Sequence, residues 1–348
     1  MRTGRRLNPW GVVTAALLLL AVAAAALAGA GCGSSSGTVA SDTAAANAVA
    51  TAASSAAASP TTSPAANGAP APDVVQKAPV QHVKVGDLDV GYRAIGPFGA
   101  AAGSTPLLMI MGSSATMDEW SPQFVEALAQ GREVVVFDNR GMGETSDPGG
   151  AYQFSQLADD TAGLVKALGF DKMDVLGWSM GGDVALDLAV RSPQVVNRLV
   201  SYAGDAGGPH AVQMSKQTLA VLTDTSGSAR ARGMRLLTLL FPKAYRKANP
   251  AYAETFPIPT EQASPAAIAL QDKAIGAWQG VWNGLKGITA PTLFVTGAQD
   301  VIAPPLNAAL MAKVVPGAEL ARIPGAGHGL MYQDPQKLAD VVMNFLDQ

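Results

Sequence analysis

The 348-residue sequence holds a single cysteine, Cys32, which excludes an intrachain disulfide framework and any cysteine-rich metal site. Its three histidines, His82, His210 and His328, lie far apart and offer little to build a zinc centre from. Charge is scarce as well: 15% of residues are charged, against roughly 25% in an ordinary soluble domain. The net charge of −3 comes with no strongly basic stretch, which argues against nucleic acid as a partner. The shortage is uneven. Residues 1–76 carry only Arg2, Arg5, Arg6, Asp42 and Asp73, so nearly all the charge belongs to the rest of the chain.

What the N-terminal part does have is apolar. Arg2, Arg5 and Arg6 precede an uncharged run from Val12 to Ala30, the layout of an export signal. The run is also close to the ~20 residues that span a bilayer, so a retained anchor is the alternative. Ala28-Gly29-Ala30-Gly31 leads directly into Cys32 and resembles the lipobox of bacterial lipoproteins, in which the cysteine is acylated after cleavage. It departs from that pattern at Gly29, where the family usually has Leu. Residues 1–32 are therefore expected to export the protein. The resemblance implies tethering to the outer face of a bacterial cell membrane, and the alternative is secretion. Residues 33–76 are mostly Ala, Ser, Thr, Pro and Gly; such a segment buries too little surface to offset its ordering entropy and reads as a disordered tether.

From residue 77 onward, short apolar runs alternate with helical patterns. Val83 to Ala94 reads as a strand pair turning at Gly86-Asp87. Leu107–Met111, Val134–Phe137, Met173–Leu176, Arg198–Tyr202, Thr292–Val295 and Ala318–Ile323 read as further strands, several apolar throughout, as in strands buried on both faces. Leu157, Leu164, Val165 and Leu168 share a helical face, and Val184 to Val190 suits a buried helix. At the end, Asp334 suits an N-cap and Pro335 the first helical position, ahead of the stripe Leu338, Val341, Val342, Phe345 and Leu346. This alternation predicts an α/β fold with a mostly parallel sheet and helices on both faces, and ligands at the carboxyl ends of its strands.

The pattern G-x-S-x-G occurs twice. Gly33-Ser34-Ser35-Ser36-Gly37 lies in the tether with no strand before it, so the pattern alone is weak. Gly177-Trp178-Ser179-Met180-Gly181 follows an apolar run and opens a helix, the context of a nucleophile elbow. A serine hydroxyl needs a base, and His328, in the glycine-rich loop Pro324–Gly329, is the candidate. The imidazole in turn needs an acid. Asp300, after the Thr292–Val295 run, is the first choice and Asp205, after the Arg198–Tyr202 run, its competitor.

With these residues in view, the chain from about residue 80 onward resembles the α/β-hydrolase superfamily, in its cap-bearing branch. Asp138-Asn139-Arg140-Gly141-Met142-Gly143-Glu144-Thr145-Ser146 is similar to that branch's strand-end D-x-R-G-x-G-x-S, and Ser179-Met180-Gly181-Gly182 and Gly325-Ala326-Gly327-His328 also match. The order Ser179, Asp300, His328 is the family's order. The resemblance implies a catalytic set of Ser179, Asp300 and His328, and an oxyanion hole made by the backbone N–H groups of Met180 and Ser113. Met111 stands where the family has a histidine before that second donor. No metal or organic cofactor is implied.

Nearly ninety residues separate Tyr202 from Thr292, too many for a simple connection. Residues 206–287 are expected to form a mostly helical cap over Ser179, inserted before the last two strands. Trp278, Trp282, Met234, Leu237 and Phe241 either line an apolar acyl pocket or bury the cap against the core. The expected function is a serine hydrolase of carboxylic esters of small apolar molecules. A cofactor-free haloperoxidase or perhydrolase on the same residues, and a catalytically silent binding protein of the same fold, are the alternatives.

Overall fold

The computed structural model describes residues 73–97 and 104–348. The expected export segment 1–32, with Cys32, and residues 33–72 of the expected tether lie outside the described residues. The last residues assigned to that tether are part of the folded body. Asp73 caps the short helix α1 (Val74–Lys77), whose Val75 is fully buried, and Gln76 Nε2 donates to the Ile258 carbonyl at 2.7 Å.

The sheet has eight strands: β1 (Gln81–Val85), β2 (Leu88–Ile95), β3 (Leu107–Ile110), β4 (Val134–Phe137), β5 (Met173–Trp178), β6 (Val196–Tyr202), β7 (Thr292–Gly297) and β8 (Glu319–Ile323). Their spatial order is β1-β2-β4-β3-β5-β6-β7-β8. β1 and β2 form the antiparallel pair turning at Gly86-Asp87, β2 runs antiparallel to β4, and every other pairing is parallel. The α/β expectation with a mostly parallel sheet therefore holds. The apolar runs mark strands covered on both faces: β3, β4, β5 and β7 are buried at every position. Alternation divides them between two cores. Leu107, Met109, Val134 and Val136 face one, Leu108, Ile110, Val135 and Phe137 the other.

Helices α2 (Pro122–Leu128), α3 (Ser155–Ala167) and α4 (Met180–Arg191) follow β3, β4 and β5 in turn. Between β6 and β7 the inserted chain forms α5 (Lys216–Leu222), α6 (Ala229–Leu240), α7 (Lys243–Ala248) and α8 (Pro265–Ala277), joined by 3₁₀ turns. The chain closes with α9 (Leu306–Ala312), α10 (Leu330–Gln333) and α11 (Pro335–Leu346). Asp334 caps α11 by accepting from the Lys337 N–H at 3.2 Å, and Leu338, Val342, Phe345 and Leu346 turn to the core. Parallel strands bring all their carboxyl ends to one edge, where the loops after β3, β5, β7 and β8 meet.

Candidate active site

Ser179 sits between the end of β5 and the start of α4, with φ 56° and ψ −124°. A non-glycine residue held at positive φ is strained, and strain of this kind is kept where the surroundings enforce it. The enforcing contacts are backbone on backbone. A Cβ on Gly181 would collide with the Ile110 carbonyl, and one on Gly177 with the Gly181 carbonyl. Only glycine lets strand and helix approach this closely. The Ser179 N–H donates to the Tyr202 carbonyl at 2.9 Å, anchoring the turn to β6.

The loop after β8 brings His328 against this serine. His328 Nε2 lies 3.0 Å from Ser179 Oγ, and His328 Nδ1 lies 2.8 Å from Asp300 Oδ2. The other carboxylate oxygen of Asp300 accepts from the Ile302 and Ala303 N–H groups at 2.8 and 2.9 Å, which fixes its orientation. The histidine's own carbonyl is held too: Tyr202 Oη and Trp178 Nε1 donate to it at 2.8 and 3.2 Å. Burial raises the Tyr202 phenol well above its usual range, so it stays a donor. His328 and Asp300 are both buried. Such an arrangement can take a proton from Ser179 and hold the resulting imidazolium against a fixed carboxylate.

Asp205 is not part of this set. Its Oδ1 accepts from the Gly207 N–H at 2.7 Å, its own N–H donates to Asp183 Oδ1 at 2.6 Å, and no hydrogen bond joins it to His328. Burial pushes its carboxyl up to about 6. Neither His82 nor His210 enters the site: His82 lies beside Asp89 on the β1–β2 pair, and His210 stacks on Trp282 at 4.7 Å between centroids.

Met180 is the first residue of α4, so its N–H has no carbonyl one turn back to bond. Across the site, Ser113 follows β3, and its N–H donates to no backbone carbonyl among the described residues. The next N–H, that of Ser114, is taken: it donates to Gln271 Oε1 at 2.7 Å, with Ser114 at φ 62°. Gln271 comes from α8, so the inserted chain braces this loop directly. From below, Asp138 braces it as well. Its two carboxylate oxygens accept from the Met117 and Glu144 N–H groups at 2.7 and 2.8 Å, and Asn139 Nδ2 donates to the Met111 carbonyl at 3.2 Å. The strand-end motif 138–146 thus shapes the loop opposite Ser179, while its Arg140 forks onto Asp160 with two contacts of 2.9 Å.

A small, partly open cavity of about 20 Å³ lies beside Ser179 and His328. It is lined mainly by carbon, from Gly112, Ala115, Trp178 and Phe256, with Ser113 and Glu119 as its other polar residues. The aromatic residues expected from the inserted chain are placed otherwise. Trp278 stacks on Phe154 at 4.2 Å between centroids, Trp282 packs on His210, and Leu237 and Phe241 are core. The inserted chain's contribution to the cavity is Phe256. Sequence reasoning missed this residue and also Glu119, whose one visible signal is an acidic pair, Asp118-Glu119, directly before Trp120.

Comparison with known proteins agrees with the fold. A family model described as the alpha/beta hydrolase fold matches residues 105–335. A candidate carbamate hydrolase, RutD, of Caulobacter sp. (strain K31) is 28% identical over 242 residues, 68% of this chain and 87% of that one. A poly(3-hydroxyalkanoate) depolymerase of Ectopseudomonas oleovorans is 28% identical over 244 residues, covering 70% and 85%. The crystal structure of a hydrolase from Pseudomonas aeruginosa PA01 superposes with a TM-score of 0.63 at 28% identity, over 77% of this chain and 98% of that one. With the family model matching residues 105–335 and the sheet order in agreement, the chain belongs to the alpha/beta hydrolase fold family and is a hydrolase of that fold.

Proposed function

We propose that the protein is a serine hydrolase that cleaves carboxylic esters of small, fairly apolar molecules through an acyl-enzyme. Ser179 Oγ attacks the ester carbonyl while its proton passes to His328 Nε2. Asp300 keeps the imidazole in the tautomer whose Nδ1–H faces the carboxylate and stabilises the imidazolium. The N–H groups of Met180 and Ser113 bind the oxyanion of the tetrahedral intermediate. Collapse expels the alcohol, which takes the proton from Nε2. Water then attacks the acyl-enzyme, again losing its proton to His328, and the acid leaves as Ser179 is restored.

The observation that carries this reading is the unbroken run of contacts from Asp300 through His328 to Ser179, at 2.8 and 3.0 Å. The carbon-rich lining of the cavity beside it supports an apolar substrate. The likeness to a poly(3-hydroxyalkanoate) depolymerase supports ester chemistry. The name of the Caulobacter relative points to a second reading, a carbamate, whose carbonyl could be attacked in the same way.

The test compares the protein with Ser179→Ala. A fluorophosphonate probe should label the first and not the second, and turnover of p-nitrophenyl acetate through hexanoate should fall at least about a thousandfold in the variant. Turnover that survives in Ser179→Ala would remove the serine from the mechanism. A p-nitrophenyl N-alkylcarbamate hydrolysed faster than the butanoate ester would favour the carbamate.

A further inference from the structure

Gln271 of α8 is fully buried, although glutamine is a residue mostly found exposed. The packing on either side of it is apolar. Ala267 and Ile268, a turn earlier on α8, lie against Met142 of the strand-end motif, and Ile275, a turn later, is core. The amide itself is only half matched. Its Nε2 finds no hydrogen-bond partner among the described residues, a cost that leucine or methionine would not carry here. What the amide adds is its oxygen. Gln271 Oε1 accepts from the Ser114 N–H at 2.7 Å and lies 3.4 Å from Ser113 Oγ, which in turn lies 3.3 Å from Ser114 Oγ. The residue it holds is strained: Ser114 stands at φ 62°, which serine keeps where its surroundings enforce it. Asn139 fixes this loop at Met111, and Asp138 fixes it at Met117. Between those points the Gln271 oxygen pins the peptide that joins Ser113 to Ser114. Ser113 lines the cavity beside Ser179 and His328, whereas Gln271 does not, so Gln271 can act on the site only through the loop.

An oxyanion donor works best when it is fixed in place before charge develops. A misplacement of about 1 Å costs roughly a hundredfold in rate. We propose that Gln271 is a positioning residue of the oxyanion hole: its side-chain oxygen locks the Ser113–Ser114 peptide so that the Ser113 N–H stays aimed at the oxyanion. The inserted chain then does more than cover the site, because the seat of α8 on the strand-end motif decides where that donor stands. This rests on the reading of Ser113 as an oxyanion donor in ester hydrolysis and deepens it.

The experiment compares two ketones of equal length, trifluoromethyl butyl ketone and methyl butyl ketone, as inhibitors of p-nitrophenyl butanoate hydrolysis. Ser179 Oγ adds to the carbonyl carbon of the first, its proton passes to His328 Nε2, and the carbonyl oxygen becomes the oxyanion of a hemiketal, with nothing expelled. The second stays a ketone and reads ground-state binding. Gln271→Met keeps the shape of the side chain and lacks the acceptor. It should raise the inhibition constant of the trifluoroketone about tenfold to a hundredfold and lower kcat/KM for the ester by the same factor, while the plain ketone moves less than about twofold. Gln271→Asn withdraws the amide by one methylene and should act alike, so either variant decides if the other fails to fold. Adding Ser114→Gly to Gln271→Met should recover most of the loss, because glycine holds a positive φ without help. A side chain that served stability alone would shift the unfolding midpoint and leave the ratio of the two inhibition constants unchanged. An unchanged ratio in the variants overturns the inference, as does a wild type that binds both ketones equally. If the wild type hydrolyses no ester, the ester reading fails; fluorine NMR titration of the hemiketal on wild type and Gln271→Met then measures the same ratio and decides the role of Gln271.

Discussion

At the scale of single residues, two acids at neighbouring strand ends have opposite surroundings. Asp300 accepts two backbone N–H bonds on one oxygen and offers the other to His328. Asp205 accepts from the Gly207 N–H in the loop after β6 and donates its own N–H to Asp183 of α4. Replacing Asp300 by Asn should lower kcat by about ten-thousandfold, because the amide stabilises the wrong imidazole tautomer. Asp205→Asn should leave kcat within a few-fold of wild type, and steady-state kinetics on one ester distinguishes the two. Glu119 also carries a stability signature. Its carboxyl titrates near 8 when folded and near 4.5 when the chain is open, so between these values the folded state holds the extra proton. Stability from this group is therefore lost as pH rises through that window, with a slope of at most about 1.4 kcal/mol per pH unit. Glu119→Gln lacks the titration. Its urea unfolding free energy, relative to wild type, should climb from pH 5 to pH 8.

At the scale of elements, the site depends on how closely α4 can press against the sheet. The Gly181 Cα faces the carbonyls of Ile110 and Met111 with no room for a methyl group. Gly181→Ala must push the helix N-terminus off β3, moving the Met180 N–H away from the Ser113 N–H. We expect a loss of about 2–4 kcal/mol in urea unfolding free energy, of the size seen for overpacked interiors, together with a large drop in kcat and little change in KM. The His328 loop is pinned in a comparable way from the other side. The Gly329 N–H donates to the Leu240 carbonyl at 3.0 Å, and a Cβ on Gly327 would meet that same carbonyl at 2.5 Å. The C-terminal end of α6 thus helps to place a histidine nearly ninety positions further along the chain.

At the scale of the whole molecule, the inserted chain and the sheet are clasped by a buried ionic group. The Arg93 guanidinium on β2 donates to the Gln76 and Ala78 carbonyls at 3.1 and 2.7 Å, lies 3.3 Å from Asp118, and pairs closely with Glu261 of the inserted chain. Asp118 also accepts from the Thr260 N–H and hydroxyl at 2.8 and 2.6 Å. One arginine therefore joins α1, β2, the turn bearing Glu119 and the inserted segment. Arg93→Met would strand two buried carboxyl groups, and chemical denaturation should show a loss of about 3–5 kcal/mol. A double variant, Arg93→Met with Glu261→Leu, should recover part of it, since one stranded charge is gone.

The sequence by itself determined the sheet and the identity of the serine turn. Apolar runs of four to six residues, such as Val134–Phe137, can be satisfied only between two covering layers, and Gly177 and Gly181 flank a position where a strand turns straight into a helix. These signals are local, carried by residues adjacent in the chain. His328 was legible for a similar reason, as a histidine in a glycine-rich loop before a well-capped helix. Asp300 ranks ahead of Asp205 on its place in the chain order, but both follow strands, and only the contact of 2.8 Å from Asp300 to His328 separates them. The cavity walls were still less legible. Trp278 and Trp282 have the apolar character expected of a pocket but find aromatic partners at Phe154 and His210, while Phe256 and Glu119 reach the site from segments without helical periodicity. Which side chains face a cavity depends on contacts between residues far apart in the chain, and only the tertiary structure decides them.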